Sequence, residues 1–158
     1  MRLRTFKKRA AAMVVTMIAA VLVPLAAQAP AQAAPNVAAG TAAWTPQIYP
    51  LFSGEWVKRD VSGAQRDSEL IWCSLASGVA CVAVGQGDGK HSIFHLYKCD
   101  ERSLSNFIDA LSARNNQTGG AQVRFWGPST GVYTAYADGN IYNFPDHATY
   151  GFDRLDIC

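Results

Sequence analysis

From residue 70 to the C-terminus, apolar and polar positions alternate over short stretches separated by glycine-rich breaks. Leu70, Ile71, Trp72 and Cys73 read as a strand, Ser77-Gly78 as a turn, and 79–84 as a second strand. Gly85, Gly87 and Gly89 make 85–89 a loop. Residues 91–98 alternate, with Ile93, His95 and Tyr97 on one face and Phe94 and Leu96 on the other. Further strands are predicted at 121–126, 132–137, 141–144 and 152–158, divided by 127–131, 138–140 and the Pro145 region. Short strands with Gly-rich turns at this spacing predict an all-β fold, a sandwich or barrel. One segment departs from period two. Leu104, Phe107, Ile108 and Leu111 follow helical spacing and Ser103 offers a cap, so one short helix is expected over 103–112. No internal repeat is visible by eye, although two pseudo-equivalent halves could hide in so short a chain.

Before residue 70 the pattern is weaker. Residues 34–45 are mostly Ala, Pro, Gly and Thr, with almost nothing to bury, and read as a disordered tail. Ile48, Tyr49, Leu51, Phe52, Trp56 and Val57 then crowd together, interrupted by Pro50 and Gly54. Two readings stand for 48–57: a segment packed on the core, or an exposed aromatic contact surface. Residues 58–69 are polar and turn-rich and read as a linker. The resulting division is 1–33 signal peptide, 34–69 tail and aromatic segment, and 70–158 β domain.

Charge and cysteine usage change the picture through the N-terminus. Arg2, Arg4, Lys7, Lys8 and Arg9 precede an apolar run over 10–27, and Ala31-Gln32-Ala33 supplies a small-x-small site. This is the three-part pattern of a secretory signal peptide, predicting an extracellular protein. Removing it takes five basic residues and no acidic ones, leaving nine basic against twelve acidic, a net −3. Such a chain has no basic surface for a phosphate backbone, so nucleic acid is not an expected partner, nor is a membrane once the signal is gone. All four cysteines, Cys73, Cys81, Cys99 and Cys158, follow the signal. In an exported chain an even count reads as two bridges with three possible connectivities. We favour Cys73 with Cys81, pinning a short hairpin, and Cys99 with Cys158, tying the last residue to the middle of the chain. In the chain-entropy model these loops stabilise by roughly 2.5 and about 4 kcal/mol.

The run Cys73, Gly78, Cys81, the glycine-rich loop leading to "FHLYKC", and then "SLSNF", "NNQTGG" and a C-terminal cysteine resemble a family of small secreted actinobacterial proteins related to metalloproteinase inhibitors. The resemblance covers about residues 70–158. It implies a small Greek-key, βγ-crystallin-like sandwich and a peptidase-inhibitor-like activity. Where the family tends to carry Trp and Gly after "LSN", this chain has Phe107-Ile108-Asp109-Ala110. The family's calcium corner would fall on Asn115 and Asn116, but Gly119 and Gly120 stand where hydroxyl residues would ligate. Asn116-Gln117-Thr118 also fits a glycosylation acceptor, though the signal peptide looks bacterial. The segment is therefore expected to be a tight corner, with no metal and no cofactor.

No catalytic signature stands out. His91 and His95 are four apart in a period-two segment, which separates them by about 13 Å along a strand. Asp100-Glu101 are adjacent and point apart on a strand. Asp88, His91 and His95 could still converge around the glycine-rich loop. The expected function is binding rather than catalysis: a peptidase-inhibitor-like protein whose partner is an extracellular protease, contacted through 85–90 or 127–131. An antimicrobial or killer-toxin-like effector, or a cell-surface adhesive module using 48–57, are the alternatives.

Overall fold

A computed structural model describes residues 43–158. The predicted signal peptide and residues 34–42 of the predicted tail lie outside them. Two five-stranded antiparallel sheets face each other. The first orders β2 (Trp56–Val61), β4 (His91–Leu96), β3 (Val79–Gly85), β6 (Leu111–Asn116) and β9 (Ile141–Phe144). The second orders β1 (Gln47–Tyr49), β5 (Asp100–Ser105), β10 (Arg154–Ile157), β7 (Gln122–Trp126) and β8 (Tyr133–Tyr136). An eleven-residue helix α1 (Gly63–Cys73) and a four-residue helix α2 (Asp146–Thr149) complete the elements.

The connectivity is a pair of Greek keys. β3 and β4 form a hairpin, β5 crosses to the other sheet, and β6 returns beside β3. The second half repeats the move: β7 and β8 form a hairpin, β9 crosses to pair with β6, and β10 returns beside β7. The chain is thus the small Greek-key sandwich expected, with two equivalent halves that exchange one strand each. Phe94, Leu96, Val82, Leu111, Phe125, Phe144, Leu155 and Ile157 form part of the core between the sheets. β3 is covered on both sides, which is why it reads as a continuous apolar run rather than an alternation.

Three expectations are corrected. The helix over 103–112 does not form. Leu104 lies in β5 opposite Ile48, Asn106 takes a left-handed backbone, and Leu111 opens β6. A crossover between sheets places Leu104, Phe107 and Leu111 in one core, mimicking helical spacing. The linker over 58–69 and the strand over 70–73 are instead the end of β2 followed by α1. Ser62 caps α1: its Oγ accepts the Gln65 N–H while Gln65 Oε1 accepts the Ser62 N–H at 3.1 Å. The boundary at residue 70 therefore falls inside a helix, and β1 and β2 belong to the same sandwich.

The 48–57 segment is divided between the core and the surface. Ile48 is buried in the core and Val57 packs against it, while Tyr49, Leu51 and Trp56 are exposed. A buried ion pair holds its middle: Glu55 receives Arg102 through two hydrogen bonds, 2.5 and 2.8 Å, and both side chains are wholly buried. The same carboxylate accepts the N–H groups of Phe52, Tyr97 and Lys98. The Arg102 guanidinium lies over the Phe52 ring at 4.7 Å.

Candidate binding cleft

β2 is an edge strand, and its pairing with β4 sets Trp56 opposite His95 on the outer face of the sheet. A bulge with Asp60 at φ 57° reverses the side-chain parity of β2, so Val61 joins this outer face although Val57 points to the core. α1 lies over Val61, Ile93, Cys81 and Ala83 through Leu70 and Cys73. Cys73 is disulfide-bonded to Cys81, with Cα atoms 6.1 Å apart. This bridge ties the end of a helix to β3 and does not pin a hairpin. Glu69 and Trp72, three residues apart on α1, share one side of the helix and line the cleft with Trp56, Ser68 and His95.

The cleft has a volume of about 400 Å³. The Trp56 indole stacks on the His95 ring at 4.4 Å and 9°. Trp72 stands edge-on to both, 5.4 Å from His95 and 6.3 Å from Trp56. The indoles remain 44 % and 42 % exposed, whereas His95 is 1 % exposed. His95 Nδ1 lies 3.4 Å from Cys81 Sγ. Its Nε2 is buried without a hydrogen-bond partner, 3.6 Å from Glu69 Oε2, beyond hydrogen-bond reach. Desolvation, helped by the Lys58 charge, lowers the imidazole pKa despite the opposing pull of Glu69, so the ring is neutral at neutral pH. The other carboxylate oxygen of Glu69 accepts Lys58 Nζ at 2.5 Å.

The residues singled out in the sequence are dispersed. His91 faces Arg66, whose Nη1 is 3.5 Å from its Nε2, and Asp88 accepts the Lys90 N–H. Asp88, His91 and His95 therefore have separate surroundings. Glu101 pairs with Arg154, while Asp100 accepts the Glu101 N–H. Cys99 is bonded to Cys158, joining the start of β5 to the residue after β10. Asn115 is buried and used up locally: its Nδ2 donates to the Ala121 and Ala135 carbonyls and its Oδ1 accepts the Gln117 N–H. Asn116 donates to the Ser74 carbonyl. Gly119 and Gly120 both have positive φ, 73° and 76°, and turn the chain from β6 into β7. The "NNQTGG" stretch is a structural corner. Among the described residues no three His, Cys, Asp or Glu side chains converge to hold a metal ion.

Of the two contact loops anticipated, 85–90 is closed on itself. The Gln86 N–H donates to the Lys90 carbonyl, and Trp44 packs on Gly87 where any Cβ would collide. The 127–131 loop is tightened by the Thr130 N–H donating to the Gly127 carbonyl and leaves Pro128, Ser129 and Gly131 exposed. Sequence reasoning missed the cleft because its members come from β2, α1 and β4 with no fixed spacing. The one available signal, the Ser62-x-x-Gln65 capping box, would have placed Glu69 and Trp72 on a helix. The chain matches no protein-family model, no curated protein and no solved structure.

Proposed function

We propose that the protein is exported and acts by binding, with the Trp56/Trp72 cleft as its contact site. The carrying observation is a pair of half-exposed indoles flanking a buried, unpartnered imidazole nitrogen on a sandwich crosslinked by two disulfides. Large half-exposed aromatics supply contact area with little rotamer entropy to lose. A polar atom buried without a partner is a cost that a bound group relieves. Export is supported by the three-part leader in the sequence and by the disulfides, which persist in oxidising compartments. No helix among the described residues is long and apolar enough to cross a membrane. The test is retention: immobilised protein is exposed to the insoluble cell-envelope fraction and to the culture supernatant of the producing cell. A Trp56→Ala/Trp72→Ala double variant should retain at least tenfold less of whatever the native protein holds. Equal retention by both would remove the cleft from the reading.

Peptidase inhibition is a second reading, favoured by the 127–131 loop. Beside its exposed tip Val132 is 64 % exposed, an apolar side chain presented on a tightened hairpin. Pre-ordering of this kind lowers the entropy cost of occupying a protease cleft. The oxidised protein should then slow peptide hydrolysis by a metallo-, serine or cysteine protease stoichiometrically, and Val132→Asp should weaken it. Clearing of a bacterial lawn without protease inhibition would favour a toxin-like effector instead.

A further inference from the structure

We infer that the Trp56/Trp72 cleft is a carbohydrate site that takes a pyranose ring of a neutral glycan. The inference rests on the cleft being the contact site and adds the chemical class of its occupant.

The polar floor selects the occupant. Nε2 of His95 and Oε2 of Glu69 face each other across 3.6 Å with nothing between them that satisfies Nε2. If the imidazole proton sits on Nδ1, toward the disulfide sulfur, two acceptors confront each other. If it sits on Nε2, a donor stands too far from its acceptor. A hydroxyl group resolves either case, because it both donates and accepts. An ammonium only donates, and the chain already supplies one: Lys58 Nζ occupies the other oxygen of Glu69. That internal cation also neutralises the carboxylate, leaving the cleft without the net negative charge that would draw a cationic ligand, and without a free cation for an anionic one.

The walls select the rest of the ligand. Two indoles at 66° to each other form a corner, each keeping about two-fifths of its surface open. One side of a pyranose is a patch of C–H groups that packs on an indole, while its rim carries hydroxyls. A single ring can therefore lie on one indole and turn its rim to Glu69 and His95. Stacking of Trp56 on His95 and the packing of α1 on the sheet hold these groups in place before the ligand arrives. At about 400 Å³ the cleft is of small-ligand size.

The test uses the oxidised mature chain and tetramers of β-1,4-linked glucose and of β-1,4-linked N-acetylglucosamine, with free lysine and a tyrosine-containing tetrapeptide as competitors. Tryptophan emission and calorimetry read binding. Saturable binding of at least one tetramer is expected. Trp72→Ala, on an exposed helix face, and Glu69→Gln should each weaken it about tenfold, the cost of one good contact to a charged or stacked group. Unchanged melting temperatures would show that both variants are folded, which spares the inference from depending on a buried His95 variant. Binding by neither tetramer, or binding unaltered in both variants, would overturn it. If the sugars fail while Trp-dependent retention of a protein persists, the carbohydrate assignment falls and the binding cleft stands. If retention is itself independent of both indoles, the cleft falls with it.

Discussion

At the scale of single residues, the Glu55/Arg102 pair carries the clearest energetic prediction. Burial works against the Glu55 charge, but Arg102 and the three backbone N–H donors outweigh it and hold its pKa below the ordinary 4.5. Replacing Glu55 with Gln leaves an uncompensated guanidinium inside the protein, a change that costs about 3–5 kcal/mol in such settings. Urea unfolding of Glu55→Gln should show a loss of this size. Arg102→Lys should remain destabilised, because an ammonium cannot reproduce the two-pronged contact. The pH dependence has two stages. His95 and His91 both have pKa values lowered from 6.5, each chiefly by desolvation. The unfolded chain therefore binds protons first, and stability is full above pH 6.5 and falls as pH drops toward the lowered values. Glu55 has the same sign one stage lower: its contribution is full above pH 4.5 and is lost as pH falls through its lowered pKa. Denaturation midpoints from pH 8 to 3 should decline in both windows, and His95→Gln should shrink only the upper one, leaving the share of His91. A midpoint constant from pH 8 to 5 would contradict the desolvation of the buried His95 and the half-buried His91.

At the scale of elements, the helix above the cleft is held by modest means. Only Leu70 and Cys73 of α1 are buried, so its capping box matters. Ser62→Ala should cost about 1 kcal/mol, with the slope of the urea transition unchanged. Were 58–69 a solvated linker, the same substitution would be neutral to within about 0.5 kcal/mol. This element also marks what was legible in the sequence. β3, β4 and β7 to β10 announce themselves because their inward positions are apolar and their turns carry Gly, Asn, Asp or Pro. β5 hides because one of its inward residues is Arg102, and β6 because one of its inward residues is Asn115. Each polar side chain depends in part on partners far along the chain, Glu55 for Arg102 and the carbonyl of Ala135 for Asn115. α1 hides because so little of it is buried. The cleft inherits these silences, since Glu69 and Trp72 stand on the unread helix, and Trp56 reaches His95 only through the edge pairing of β2.

At the scale of the whole molecule, each Greek key lends a strand to the other sheet, so neither half closes its own core. The two disulfides divide their work accordingly. Cys99–Cys158 joins the two halves and lies at the surface, with both residues exposed. Cys73–Cys81 lies under α1, with both residues wholly buried. Thiol–disulfide exchange needs a thiolate to reach a sulfur, so access sets the order of reduction. Dithiothreitol under native conditions should open Cys99–Cys158 first. Alkylation followed by peptide mapping should find label at Cys99 and Cys158 while Cys73 and Cys81 stay protected. Loss of the surface bridge should lower stability by about 4 kcal/mol in the chain-entropy model, because it closes the longer loop. Label should reach Cys73 and Cys81 only as urea populates the unfolded chain. Equal labelling of all four cysteines without denaturant would mean that α1 lifts from the sheet as a local unit. The cleft would then lose its fixed wall, and the pre-ordering of Trp72 and Glu69 on which its binding role depends would fail together with the protection of the buried bridge.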